Sequence, residues 1–191
     1  MTIDNFKRII ESGKESISLE FKESESWDSS LKNKLTKFIL AATNTREGGN
    51  LIVGIDNSGK LVGVKAEHLT SYKEDVIKDY VSRYADPYAN FSVDIVEHES
   101  KNYVVFTVRE FSEMPVICKK EGDGFRKGAI YIRTRNRRPE TVEVPDSAHM
   151  RELVELATDK MNENLKKRGW NRAISESAAN SFLSQIEDLN I

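Results

Sequence analysis

The spacing of hydrophobic positions changes along the chain, and the changes divide it into elements. Phe6, Ile9 and Ile10 recur at helical spacing after polar Thr2 and Asp4, which predicts a short amphipathic helix from Ile3 to Ser12, stopped at Gly13. From Ile17 the period falls to two, because Ile17, Leu19 and Phe21 alternate with Ser18, Glu20 and Lys22. That is a half-buried strand with Glu20 and Lys22 on one face. After a polar loop around Trp27, Leu31, Leu35, Phe38, Ile39 and Ala42 form the wide apolar stripe of a second helix that ends near Asn44. Leu51 to Ile55 is continuously apolar and bounded by glycines, as in a strand buried on both faces. Asp56-Asn57-Ser58-Gly59 has hairpin-turn chemistry, and Leu61 to Val64 is expected to return as the partner strand.

A third helix is expected over Ser71 to Tyr84 with Val76, Ile77, Tyr80 and Val81 inward, ended by Asp86-Pro87. Alternating strands follow at Phe91 to Val96 and Tyr103 to Val108, joined by a polar loop over Glu97 to Asn102. Val116 to Cys118 and Ala129 to Arg133 read as two more strands around Gly122-Asp123-Gly124. Beyond Pro145, Asp146 or Ser147 caps a long helix to about Lys167 with Met150, Leu153, Val154, Ala157, Met161 and Leu165 inward, closed by Gly169. Ile174, Ala178, Phe182, Ile186 and Leu189 then fall in helical register. The expected fold is α+β: a mixed sheet with flanking helices over residues 1–156, and a helical C-terminal extension over 157–191.

Composition narrows the function classes. A chain of 191 residues builds its core without staples, and no apolar run reaches the roughly 18 residues of a membrane span. The start of the chain lacks the basic head and apolar block of a signal peptide. Its single cysteine, Cys118, excludes an internal disulfide and a cysteine-based zinc site, and a reducing, cytoplasmic setting is expected. His68, His98 and His149 are far apart, with no partner at metal-ligand spacing. No phosphate-loop, dinucleotide-binding or nucleophile-elbow pattern occurs.

What remains is charge. The 29 Lys plus Arg and 31 Asp plus Glu nearly cancel, to −2. From Lys119 to Arg138, however, Lys119, Lys120, Arg126, Lys127, Arg133, Arg135, Arg137 and Arg138 face only Glu121 and Asp123, with Phe125 and Tyr131 interleaved. Clustered cations with aromatics suit a phosphate backbone, although a solvated basic loop has the same composition. Among the carboxylates, Glu15 ends the first loop, Glu20 lies on the polar face of the first strand, and Asp56 follows a buried strand. Brought together, three carboxylates would hold a hard divalent cation, which activates water for in-line displacement at phosphorus. Lys22 would neutralise a phosphate oxygen. Each acid alone is equally a solvated charge, and Asp56 equally a turn residue.

The run Glu15-Ser16-Ile17-Ser18-Leu19-Glu20-Phe21-Lys22, followed by Ala42-Thr43-Asn44-Thr45, Gly48-Gly49, Leu51-Ile52-Val53-Gly54-Ile55-Asp56, Leu61-Val62-Gly63-Val64 and the later Lys127-Gly128-Ala129-Ile130-Tyr131-Ile132-Arg133, resembles the Schlafen AlbA-2 domain family over about Ile10 to Leu156. The resemblance implies a divalent-metal endoribonuclease acting on tRNA-like or other structured RNA. Its metal ligands would be Glu15, Glu20 and Asp56, its ion Mg²⁺ or Mn²⁺, and Lys22 the motif lysine. Arg46 and Glu47 depart from the family pattern, which has one residue between Asn-Thr and Gly-Gly. Larger members pair two such lobes in one chain, so a homodimer is expected to supply the second lobe here. Two other readings stay open at this point: a non-catalytic module binding RNA or DNA, and a dimeric interaction scaffold.

Overall fold

The computed structural model describes residues 2–11, 15–28, 30–135 and 139–169. The helical register over 174–189, Gly13, Arg137 and Arg138 lie outside the described residues. Helix α1 spans Ile3–Glu11 and strand β1 Leu19–Lys22; α2 is Leu31–Thr43 and β2 Gly49–Val53. Short α3 (Ala66–Leu69) and α4 (Glu74–Ser82) lead to β3 (Ala85–Asp86), β4 (Phe91–His98), β5 (Lys101–Val108) and β6 (Ile117–Cys118). Strands β7 (Tyr131–Arg133) and β8 (Thr141–Glu143) precede α5 (Ser147–Lys167).

Four strands form a mixed sheet in the order β1-β2-β5-β4, parallel between β1 and β2 and antiparallel elsewhere. Its two faces are sorted by the two-residue period of the strands. Leu51, Val53, Val104, Phe106 and Val108 point to the face covered by α2, where they join Trp27, Leu35, Phe38 and Ile39. Ile52, Tyr103 and Val105 point to the other face, onto Phe6 of α1. Leu35 and Ile39 are fully buried, each contributing about 1.5–3 kcal/mol of apolar transfer.

The structure departs from the sequence pattern in instructive places. Leu61 to Val64 is no strand: only a single bridge joins Ile55 to Leu61, because Gly54 and Gly63 take φ of 111° and 78° and leave the pleat. The predicted helix over 71–84 begins later, at Glu74, and Val76 faces outward at 49% exposure while Ile77 and Val81 are buried. The β4–β5 hairpin is tighter than expected, turning at Glu99 and Ser100, both at positive φ. Asp146 is the cap of α5, accepting from the N–H groups of Ala148 and His149 at 2.9 and 3.0 Å. That helix buries Leu153 and Leu156, while Met150, Val154 and Met161 face out. Strand β8 has no counterpart in the expected elements. Helix α5 runs uninterrupted through residues 156 and 157.

Asn44, just past α2, joins the sheet layer to the smaller ribbons. Its amide donates to the carbonyls of Val116 and Tyr131 at 2.8 and 3.0 Å and accepts from Val116 N–H at 2.7 Å, all buried. Asn44→Ala strands these backbone groups without water. A loss on the order of 3 kcal/mol is expected, read as a fall in urea midpoint at unchanged slope.

Candidate functional site

Strand β1 is a sheet edge, so the face carrying Glu20 and Lys22 is open on one side. Leu19 and Phe21 pack toward α1, and the pleat therefore turns Glu20 and Lys22 toward α2. Helix α2 answers with Lys34 and Lys37, three residues apart on its polar face. The ribbon of β7 and β8 closes the end of the space. The result is a cleft of about 410 Å³ lined by Glu15, Glu20, Lys22, Lys34, Lys37 and Arg133, with Glu140 and Thr141 at its wall.

Both oxygens of Glu20 are held by cations. Lys22 Nζ stands 2.6 Å from Oε1, and the Arg133 guanidinium donates to Oε2. Arg133 is itself enclosed, with its side chain 1% exposed. It lies over the Phe38 ring at 5.2 Å, donates to Thr141 Oγ1 at 3.2 Å, and reaches the carbonyls of Ser16 and Ile17 at 3.4 Å. Arg133, expected as a surface phosphate contact, is instead the buried clamp under the cleft. Glu15 Oε1 accepts from the N–H of Phe21 at 2.9 Å, capping the edge strand.

Asp56 does not join them. It lies three residues past the last β1–β2 pair, Lys22 with Val53. Its Oδ1 accepts from Ser58 N–H, Ser58 Oγ and Lys60 N–H at 2.9, 2.6 and 2.9 Å. The Ser58 hydroxyl, then the Lys60 amide, hold its carboxyl below the usual carboxylate range. Among the described residues, no group of three or more His, Cys, Asp and Glu converges as a metal site. The set Glu15, Glu20 and Asp56 therefore does not fit a shared divalent ion in this arrangement: one acid is apart, and both oxygens of another are engaged.

The basic segment divides as well. Lys119, Lys120, Arg126, Lys127 and Arg135 are exposed. Arg126 pairs with Glu143, and Arg135 Nε lies 3.9 Å from Glu152. Phe125 and Tyr131 are buried rather than offered to bases, with Phe125 stacked on Tyr84 at 4.0 Å between centroids. Asn33 of α2 places this loop: it accepts from Tyr80 Oη at 2.6 Å and donates to the Asp123 carboxylate at 3.2 Å. Lys37 Nζ sits over the Tyr131 ring at 5.5 Å. The exposed cations of the loop and the lysines of α2 thus border one surface. Lys34 and Lys37 were missed in the sequence, where the signal was cations three apart on the polar side of an otherwise buried helix.

Residues 15–141 match the family described as Schlafen, AlbA_2, and the chain belongs to that family. Membership points to nucleic-acid-related function. No curated protein matches the sequence. In fold the chain is similar to the DIP2311 protein of Corynebacterium diphtheriae, at 17% identity and TM-score 0.51 over 74% of this chain and 26% of that one. It thus spans about a quarter of that protein's length, 26%. The N-terminal domain of a RecG-related protein from Nitrosomonas europaea aligns at 18% identity and TM-score 0.43, covering 62% of this chain and 83% of that one. No helix among the described residues is long and apolar enough to cross a membrane.

Two outcomes follow from this geometry. Removing one partner of a buried pair leaves the other charge uncompensated, so Arg133→Ala is expected to cost about 3–5 kcal/mol in denaturant unfolding. Asp56 has its folded carboxyl lowered from 3.8, so it adds stability at pH above that value and loses it as pH falls through the depressed one. Asp56→Asn keeps the acceptor oxygen and removes the charge. Its deficit against wild type, measured by urea titration at a series of pH values, should be largest near neutrality and shrink in acid.

Proposed function

We propose that the protein binds a nucleic-acid backbone, structured RNA first, along the cleft between α2 and β1. The observation that carries this reading is the presence of Lys34 and Lys37 from α2 in one cleft with Lys22 of the sheet edge, which is shared with Glu20. Exposed Lys119, Lys120 and Lys127 on the neighbouring loop extend the basic surface, beside Arg126, which is paired with Glu143. Cations in a groove release counterions from phosphates, which supplies most sequence-independent affinity. Duplex RNA is held largely by shape and backbone contacts, which such a surface serves. The buried pair of Arg133 with Glu20 fixes the floor, so the lysines are presented from rigid elements.

A second reading is the metal-dependent endoribonuclease using Mg²⁺ or Mn²⁺ with Glu15, Glu20 and Asp56. One observation favours it: Glu15 and Glu20 line the same cleft as the lysines. It ranks behind binding because Asp56 stays in its turn and Glu20 is fully paired.

Fluorescence anisotropy with a labelled RNA hairpin over a salt series tests the first reading. Each phosphate contact contributes about −0.7 to −0.9 to the slope of log affinity against log salt, so Lys34→Ala with Lys37→Ala should flatten it by about 1.5. An unchanged slope and affinity would sink the assignment, and competition by duplex DNA separates RNA from DNA. Incubation of the same RNA with and without Mn²⁺ decides the second reading. Retention of intact RNA is expected; Mn²⁺-dependent cleavage lost in both Glu15→Ala and Asp56→Asn would replace binding alone with hydrolysis.

A further inference from the structure

The rings of Tyr131, Phe125, Tyr84 and Tyr80 follow one another beside helix α2, with successive centroids 6.4, 4.0 and 5.5 Å apart. Tyr131, Phe125 and Tyr84 are buried and Tyr80 is half-buried, so the series is a fixed ladder. The Tyr80 hydroxyl anchors its end by donating to Asn33 Oδ1 at 2.6 Å. Cations stand along the ladder. Lys37 Nζ lies 5.5 Å from the Tyr131 centroid and 5.9 Å from that of Phe125, while Tyr80 carries Lys32 Nζ at 5.2 Å and the Arg83 guanidinium at 5.8 Å. Gly124 keeps the space beside Lys37 clear, since a Cβ there would stand 3.3 Å from Nζ.

An aromatic ring attracts a cation through its quadrupole and carries no net charge. It therefore fixes the side chain without cancelling its field, whereas a carboxylate does both. Among the described residues no ion pair joins Lys32, Lys37 or Arg83 to an acid, while Arg126 of the nearby loop is paired with Glu143. The two acids of that loop are held by protein donors, Asp123 by the Asn33 amide at 3.2 Å and Glu121 by the Lys127 N–H at 2.8 Å. Side chains placed beforehand lose less freedom when a ligand arrives. Lys32 and Arg83 are thus pre-positioned, unpaired cations outside the cleft, and Lys37 belongs both to the ladder and to the cleft lining.

We propose that a nucleic-acid strand leaving the cleft at Lys37 continues along the ladder to Lys32 and Arg83, so that the C-terminal end of α4 contributes to binding and the ligand is an RNA longer than the cleft alone accommodates. The inference rests on the cleft reading and adds an exit path to it. Because the inner rings are buried and only the cations face outward, the path reads backbone charge and carries no sequence information.

Salt-series anisotropy on the full chain tests it with two labelled probes, the RNA hairpin and a four-nucleotide RNA that fills the cleft only. Lys32→Gln with Arg83→Gln removes two cations from partly or fully exposed side chains, and the urea midpoint checks that the fold is kept. At about −0.7 to −0.9 per phosphate contact, this pair should flatten the hairpin slope by about 1.5 and leave the four-nucleotide slope unchanged. Arg126→Gln, which removes a cation already paired, should change neither. If Lys34→Ala with Lys37→Ala flattens the hairpin slope and Lys32→Gln with Arg83→Gln does not, the exit path is overturned and the cleft reading stands. If neither pair changes it, both readings fall. Equal flattening for both probes by Lys32→Gln with Arg83→Gln would overturn the path by making the ladder a separate site.

Discussion

The Arg133 guanidinium sits where three parts of the molecule meet. It comes from the end of β7, lies on the Phe38 ring of α2, and binds Glu20 of β1 together with two carbonyls of the chain entering that strand. An enclosed ion pair contributes little net stability compared with an apolar replacement, because desolvating both charges offsets their attraction. What it supplies is geometry. A guanidinium has five donors in a fixed plane, and here they are divided among a carboxylate, a threonine hydroxyl and backbone oxygens, so the ribbon, helix and edge strand have one relative placement. The cleft exists because that placement leaves a gap between α2 and β1.

Helix α2 has a double task set by its pattern. Leu35, Phe38 and Ile39 anchor it to the sheet, and its remaining face carries the lysines and Asn33. Because the helix is packed on the sheet, Lys34 and Lys37 line the same cleft as Lys22, and Asn33 draws the 119–128 loop alongside. The positive surface is therefore built from three chain segments rather than from the one basic run. The near-cancellation of total charge conceals this, since the sum takes no account of where in the fold the cations gather.

Legibility followed the range of the forces involved. Periodicity placed β1, α2, β2 and α5 within a few residues, because each is decided by which side chains face a core. It failed at Leu61 to Val64, where apolar residues in a strand-like run are bent by two glycines, and at β8, whose three residues pair only because β7 is alongside. In α5 two apolar stripes competed, and the sequence had no means of telling which would be covered by Phe111 and its neighbours. The candidate site was half legible: Glu15, Glu20 and Lys22 share a cleft, whereas Lys34 and Lys37 were hidden as ordinary helix surface.

By itself the sequence determined the alternation that sorts the sheet faces, the family to which residues 15–141 belong, and the cap that starts α5. These are local or patterned properties, carried by neighbours a few positions apart. Only the tertiary structure decided which charges are spent and which are offered. Arg133 and Arg126 look alike in the chain, yet one is buried under Glu20 and the other lies on the surface; Asp56 and Glu20 look equally poised, yet one is bound in its own turn. Charge acts through space and through burial, and for Arg133 both are set by a partner 113 positions away in the chain.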